Sequence, residues 1–139
     1  DLGADMVFNP SIRDPRPEMI AATEGDGYDY VIEAVGSPQT LRETTDLARA
    51  GGTIMCIGFS GREADENCLS KITIQEMRLL GILGFCRDYP TSIGLLSKKM
   101  VNVVPLMTQR FRLDETGKAI ELMVEKPSDV LRAIIVPSS

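Results

Sequence analysis

Short runs of β-branched and aromatic residues alternate along this chain with longer stretches whose apolar positions recur at helical spacing. That alternation predicts α/β architecture around a mostly parallel sheet. Ala4–Phe8 is the first short run, closed by Asn9-Pro10, and Pro17–Glu24 predicts a helix with Pro17 in its first turn and Gly25-Asp26-Gly27 as its stop. Tyr28–Val35 (YDYVIEAV) predicts a strand. Ser37-Pro38 then reads as N-cap and first helical residue, with Leu41, Thr44, Thr45 and Ala48 at helical spacing up to Gly51-Gly52. Thr53–Ile57 and Met77–Leu83 predict two more buried strands, separated by a polar loop over Ser60–Asn67 and a segment, Leu69–Gln75, whose pattern is ambiguous. Further on, Tyr89–Met100 predicts a helix with Ile93, Leu95 and Leu96 inward, and Asp114–Lys126 another with Ala119, Leu122 and Met123 inward. The last strand is expected over Val130–Val136, closed by Pro137. No internal repeat or linker interrupts the pattern.

Composition narrows the class. With 139 residues, 43% of them hydrophobic and 25% charged, one compact domain is expected. The balance of 15 Lys and Arg against 20 Asp and Glu gives a net charge of −5, with no basic cluster longer than Lys98-Lys99, which argues against nucleic acid and anionic membrane as partners. The longest apolar run, Leu79–Phe85, is far short of the ~20 residues that cross a bilayer. The acidic start does not read as a signal peptide, so a soluble, cytoplasmic protein is expected. Cys56, Cys68 and Cys86 form no CxxC pair, and there is no histidine to complete a metal site or a triad. Reduced, mostly buried thiols fit that pattern, and neither a catalytic nor a metal-ligating residue is assigned.

Ligands of an open parallel sheet sit beyond the carboxyl ends of its strands. Three strands here end in glycine at that edge, Gly36, Gly58 and Gly84, where a missing Cβ would let a flat ligand lie against the main chain. A glycine-rich phosphate turn is not found: neither GxGxxG nor GxxxxGK[ST] occurs, and Gly25-Asp26-Gly27 precedes a strand rather than following one. Glu33, inside a strand, reads as a paired structural carboxylate rather than a general base, and Asp65-Glu66 as solvated surface.

Taken in order, these segments resemble the C-terminal half of a zinc-dependent alcohol dehydrogenase of the medium-chain dehydrogenase/reductase superfamily, nearest its polyol and threonine dehydrogenase-like branches. Leu2-Gly3-Ala4-Asp5 resembles the lead-in to the family's third strand, DYVIEAVG (Asp29–Gly36) its fourth, and Ala50-Gly51-Gly52-Thr53-Ile54 through Gly58 its fifth. Gly81-Ile82-Leu83-Gly84 with Tyr89-Pro90 is similar to the sixth strand and the helix after it. Val101-Asn102-Val103 through Phe111-Arg112-Leu113, then Ala119 and Glu121, resemble the C-terminal segment. The resemblance implies a partial Rossmann-type, doubly wound parallel sheet, strands 3 to 6, followed by C-terminal helices and a strand, over residues 1–139.

It also implies a site. Ala34, Val35 and Gly36 would lie along the adenosine and ribose side of NAD or NADP, Ile57, Gly58, Phe59, Ile82, Leu83 and Gly84 around its nicotinamide end, and Arg132, in the last strand, against the pyrophosphate. The family's zinc ligands belong to a separate domain preceding the cofactor domain, and none is matched here. The expected function is therefore that of a fragment of a zinc- and NAD(P)-dependent dehydrogenase that oxidises a secondary alcohol or polyol, the chain alone being inactive. A zinc-free quinone or enoyl reductase fragment and a non-catalytic α/β oligomerisation module are the alternatives. In the family's strand order, 3-2-1-4-5-6, strand four would be left with a bare edge, so Ala4–Phe8 is expected to dock beside Tyr30–Val35 or another chain to cover the gap. A homo-oligomer through the sixth strand, around Leu80–Gly84, is expected as well.

Overall fold

A computed structural model describes residues 3–59, 61, 66–84, 86–125, 128 and 130–137. Contacts divide the chain into two units, residues 1–84 and 85–139, where a single domain was expected; their two sheets have no strand in common.

The first unit runs α1 (Arg16–Ala21), β1 (Tyr28–Glu33), α2 (Pro38–Leu47), β2 (Ala48–Cys56), α3 (Glu66–Ile74) and β3 (Arg78–Gly81). Its sheet has the order β1-β2-β3, parallel throughout, as the alternating pattern predicts. The register aligns Val31 with Ile54 and Ile54 with Leu79, and next to them Ile32 with Met55 and Met55 with Leu80. Side chains alternate between faces, so Val31, Ile54 and Cys56 share one face and Ile32, Met55 and Leu80 the other. The first face holds the core: Ile54 is 0% exposed and packs with Ala48, Met77, Val31, Cys56 and Ile72. On the second face Tyr30 remains 70% exposed, and Ile32 and Leu80 are exposed too.

Helix α2 packs against β1, β2 and α3. It starts where the sequence predicts. Ser37 is the N-cap, accepting from the Thr40 N–H at 3.1 Å, while Thr40 Oγ1 accepts from the Ser37 N–H at 3.2 Å. Asp46 near its end joins α2 to its neighbours, accepting from Lys71 of α3 at 2.5 Å and from Arg16 of α1 at 3.4 Å. The helix stops at Leu47, short of Gly51-Gly52, because β2 begins at once with Ala48 and then bulges. Tyr28 pairs with Ala48 but Tyr30 with Thr53, so two steps on β1 face five on β2. Gly51 absorbs that excess at φ +70°, donating to Gln75 O at 2.8 Å, and Arg49 Nε donates to Asp29 across the bulge. The ambiguous segment Leu69–Gln75 is helical up to Ile74, in α3, which also takes in Glu66 and Asn67 of the expected loop; residues 60 and 62–65 of that loop, Asp65 among them, lie outside the described residues.

The first predicted strand does not form. Residues 4–8 have no strand structure and pair with nothing in the sheet, so β1 is an edge strand among the described residues. Asp5, Met6 and Phe8 instead line an open cleft of about 260 Å³ together with Met19 and Tyr28.

The second unit contains α4 (Tyr89–Ser97), a 3-10 turn at Val104–Leu106, β4 (Gln109–Arg112), a second such turn at Leu113–Glu115, α5 (Thr116–Glu125) and β5 (Ala133–Val136). β4 was not foreseen; it pairs parallel with β5, Phe111 opposite Ile135. α5 buries Ala119 as predicted, whereas Met123 stays exposed. Ile93, Leu95 and Leu96 of α4 are exposed, contrary to the inward placement expected, and none of the residues of this helix is buried. Among the described residues no helix is long and apolar enough to cross a membrane.

The two faces of the first sheet predict different responses to substitution. Ile54→Ala is expected to lower the urea-unfolding free energy by about 2–5 kcal/mol. Ile32→Thr, on the open face, is expected to stay within about 0.5 kcal/mol of the parent.

Candidate functional site

Because β1, β2 and β3 are parallel and in register, they end level: Glu33 lies opposite Cys56 and Cys56 opposite Gly81. The segments that follow are Ala34-Val35-Gly36, Ile57-Gly58-Phe59 and Ile82-Leu83-Gly84, so nine of the ten residues expected at a cofactor site follow three adjacent strand ends. The ladder continues briefly past the strands, with Ile57 N–H donating to Glu33 O at 2.8 Å and Ile82 N–H to Cys56 O at 2.9 Å. Beyond that the edge is open and apolar. Phe59 and Leu83 are each 77% exposed, and Val35, Ile57 and Ile82 are exposed as well.

Arg132 differs from the other nine. It is exposed, belongs to the second unit, and sits just before β5 rather than within the last strand. Its carbonyl accepts from the Gln109 N–H at 3.3 Å, the bond that leads into the β4–β5 ladder.

The glycines do not all act as the sequence reading assumed. A Cβ on Gly58 would stand 2.1 Å from Gly36 N and 2.4 Å from Val35 N, and one on Gly36 would stand 2.3 Å from Phe59 N. Gly36 and Gly58 therefore let two stretches of main chain approach each other, and the space their missing side chains leave is filled by protein. Gly84 has open space around it and needs glycine for its φ of +63° alone.

Glu33 organises this edge. It is 3% exposed, and its Oε1 accepts from Val35 N–H at 2.9 Å, Gly36 N–H at 2.8 Å and Thr40 Oγ1 at 2.6 Å. Its main-chain carbonyl accepts from Ile57 N–H and, at 3.1 Å, from Gly58 N–H. Burial pushes the carboxyl pKa up, but the Thr40 hydroxyl and the Gly36 and Val35 N–H groups outweigh it and hold the group below the ordinary Glu range. That is the paired, structural carboxylate expected from sequence. Thr40 was not anticipated as its partner; the signal was the S-x-x-T spacing of Ser37 and Thr40, a capping pair whose second hydroxyl also reaches back to the strand.

Cys56, half-buried beside Glu33, has its thiol pushed above the usual range by burial and then by that carboxylate, so it is not an activated nucleophile. Cys68 is buried as expected; Cys86 is exposed instead. Among the described residues no three His, Cys, Asp or Glu side chains gather to hold a metal ion, and the sequence has no histidine at all.

The sequence profile describing the zinc-binding dehydrogenase family matches residues 1–98. Human sorbitol dehydrogenase is 31% identical over 124 residues, covering 87% of this chain and 34% of that protein. L-threonine 3-dehydrogenase from Symbiobacterium thermophilum is 31% identical over 140 residues, covering 98% of this chain and 39% of its own length. Among solved structures, an alcohol dehydrogenase from Escherichia coli in complex with NADH superposes with a TM-score of 0.84 at 25% identity, covering 96% of this chain and 39% of that one. The chain thus spans 34–39% of the length of these proteins. The first unit has the Rossmann-type α/β fold of these dehydrogenases.

Two predictions follow from the Gly36–Gly58 approach and from Glu33. Gly58→Ala must push two main-chain segments apart and is expected to cost roughly 1–3 kcal/mol or more. Gly81→Ala, where a Cβ meets nothing within 4 Å, serves as the near-neutral comparison in the same denaturation series. Since the folded Glu33 carboxyl ionises below its ordinary range, the stability it contributes is complete above that range and disappears as pH falls through the folded value. The stability gap between the parent and Glu33→Gln, read from urea midpoints, is accordingly expected to close on acidification; a gap that widens towards acid would contradict the assignment.

Proposed function

We propose that this chain, which belongs to the zinc-binding dehydrogenase family, forms the nicotinamide-side wall of the cofactor crevice in an NAD(P)-dependent dehydrogenase of secondary alcohols or polyols. One observation carries the reading: three parallel strands end level and expose apolar residues along a single edge. Such an edge suits a flat, partly apolar ring that also needs main-chain partners for its carboxamide. The family relationship and the NADH complex of a similar structure support it further.

In this reading Ile57, Gly58, Phe59, Ile82, Leu83 and Gly84 border the nicotinamide, and Ala34, Val35 and Gly36 run along the adenosine and ribose side. Phe59 and Leu83 supply apolar surface; the Ile57, Gly58 and Ile82 N–H groups are already bonded within the sheet edge, so polar partners are left to the main-chain groups these bonds do not use. The bound nicotinamide supplies hydride acceptance in the oxidation of the alcohol. Zinc does not fit the residues present, for without histidine or a cluster of ligating side chains among the described residues there is nothing here to hold it. Metal binding and alcohol activation are accordingly assigned to other parts of a protein that carries this segment. We also assign that protein to the cytoplasm. A homo-oligomeric contact is proposed along the outer edge of β3, where Leu79 and Leu80 are exposed.

Titration of NADH and NADPH into the isotope-labelled chain, followed by amide chemical shifts, tests the wall. Millimolar cofactor is expected to move the amides of residues 34–36, 57–59 and 82–84 selectively. Unmoved amides at all three strand ends would favour the non-catalytic oligomerisation module instead, for which the exposed strand edges already speak.

A further inference from the structure

We infer that Glu33 is a positioning residue for the cofactor edge, setting the main chain of two of its three segments without itself touching the ligand; this rests on the wall reading above. Through its side chain Glu33 binds Val35 N–H and Gly36 N–H, the segment leaving β1, and through its main-chain carbonyl it binds Ile57 N–H and Gly58 N–H, the segment leaving β2. Both segments hang from one buried residue. Gly36 and Gly58 are already in main-chain contact, so a shift in the first segment is passed to the second.

The side chain is held from both directions. Thr40, in the first turn of α2, donates to Oε1 at 2.6 Å and is itself tied to the N-cap Ser37, whose Oγ lies 2.9 Å from Thr40 Oγ1. The carboxylate therefore links the end of β1 to the start of α2 and gives the intervening turn one conformation. It has no route to chemistry of its own: it is buried, and Oε1 already accepts three donors. Its influence is exerted on Val35 and, through Gly58, on Phe59, both of which face the open edge. Ionisation suits this arrangement, because a carboxylate that only accepts matches two N–H groups that only donate and a Thr40 hydroxyl that here donates.

The experiment is the amide-shift titration with NADH repeated on three variants of the 139-residue chain: Glu33→Gln, Thr40→Val and Ile54→Val. Glu33→Gln presents an amide NH₂ to groups that are donors themselves, and is expected to weaken NADH binding about tenfold, with altered shifts at residues 35, 36 and 58 and an unaltered response at Leu83. Thr40→Val removes one donor and keeps the two N–H bonds; a loss of about threefold is expected, and it carries the test should Glu33→Gln not fold. Ile54→Val lowers stability through the core and is expected to leave NADH affinity unchanged. Parent-like affinity in both Glu33→Gln and Thr40→Val would overturn the inference while leaving the wall standing. Equal weakening in all three variants would overturn it as well, because fold stability alone would then be setting affinity. A parent chain that shows no response to NADH at any strand end would bring down the wall reading, and this inference with it.

Discussion

Two strands of main chain, one leaving β1 and the other leaving β2, run closer together than any side chain between them would permit, and both are tethered to Glu33. The bonds from Val35 and Gly36 to its carboxylate and from Ile57 and Gly58 to its carbonyl fix where each segment turns. The level ends of the parallel strands, the outward presentation of Val35 and Phe59, and the start of α2 at Ser37 all depend on this arrangement. A buried charge is costly unless it is fully bonded. Here its donors are two turn amides and a helix-cap hydroxyl, groups that would otherwise need partners of their own.

Much of this is legible in the sequence. The β-branched content of YDYVIEAV and TIMCI identifies the strands, and Ser37-Pro38 locates the helix between them, since these signals are local and act within a few residues. Glu33 could be assigned a structural role from its place in an apolar strand. What escaped is non-local. Nothing in the sequence says that Gly36 and Gly58, 22 positions apart, fill each other's space, so their glycines read as openings for a ligand rather than as a main-chain contact. Ala4–Phe8 has the composition of a strand, yet it pairs with no strand among the described residues. β4 carries two arginines in its four residues, QRFR, and only its pairing with β5 makes it a strand. Arg132 falls within the strand that the pattern predicts over Val130–Val136, whereas β5 starts one residue later, at Ala133.

The first sheet has a finished side and an unfinished one. Ile54 and Val31 lie on the finished side, where neighbours on all sides set the shape each residue must have. Tyr30, Ile32 and Leu80 lie on the other, exposed across the strands. Evolutionary drift therefore meets two different filters within a single strand: at one residue the criterion is steric volume, at the next it is wettability. Neighbouring codons of β1 and β2 should accordingly accumulate changes of opposite chemical kind, methyl-for-methyl exchange on one side and polar replacement on the other.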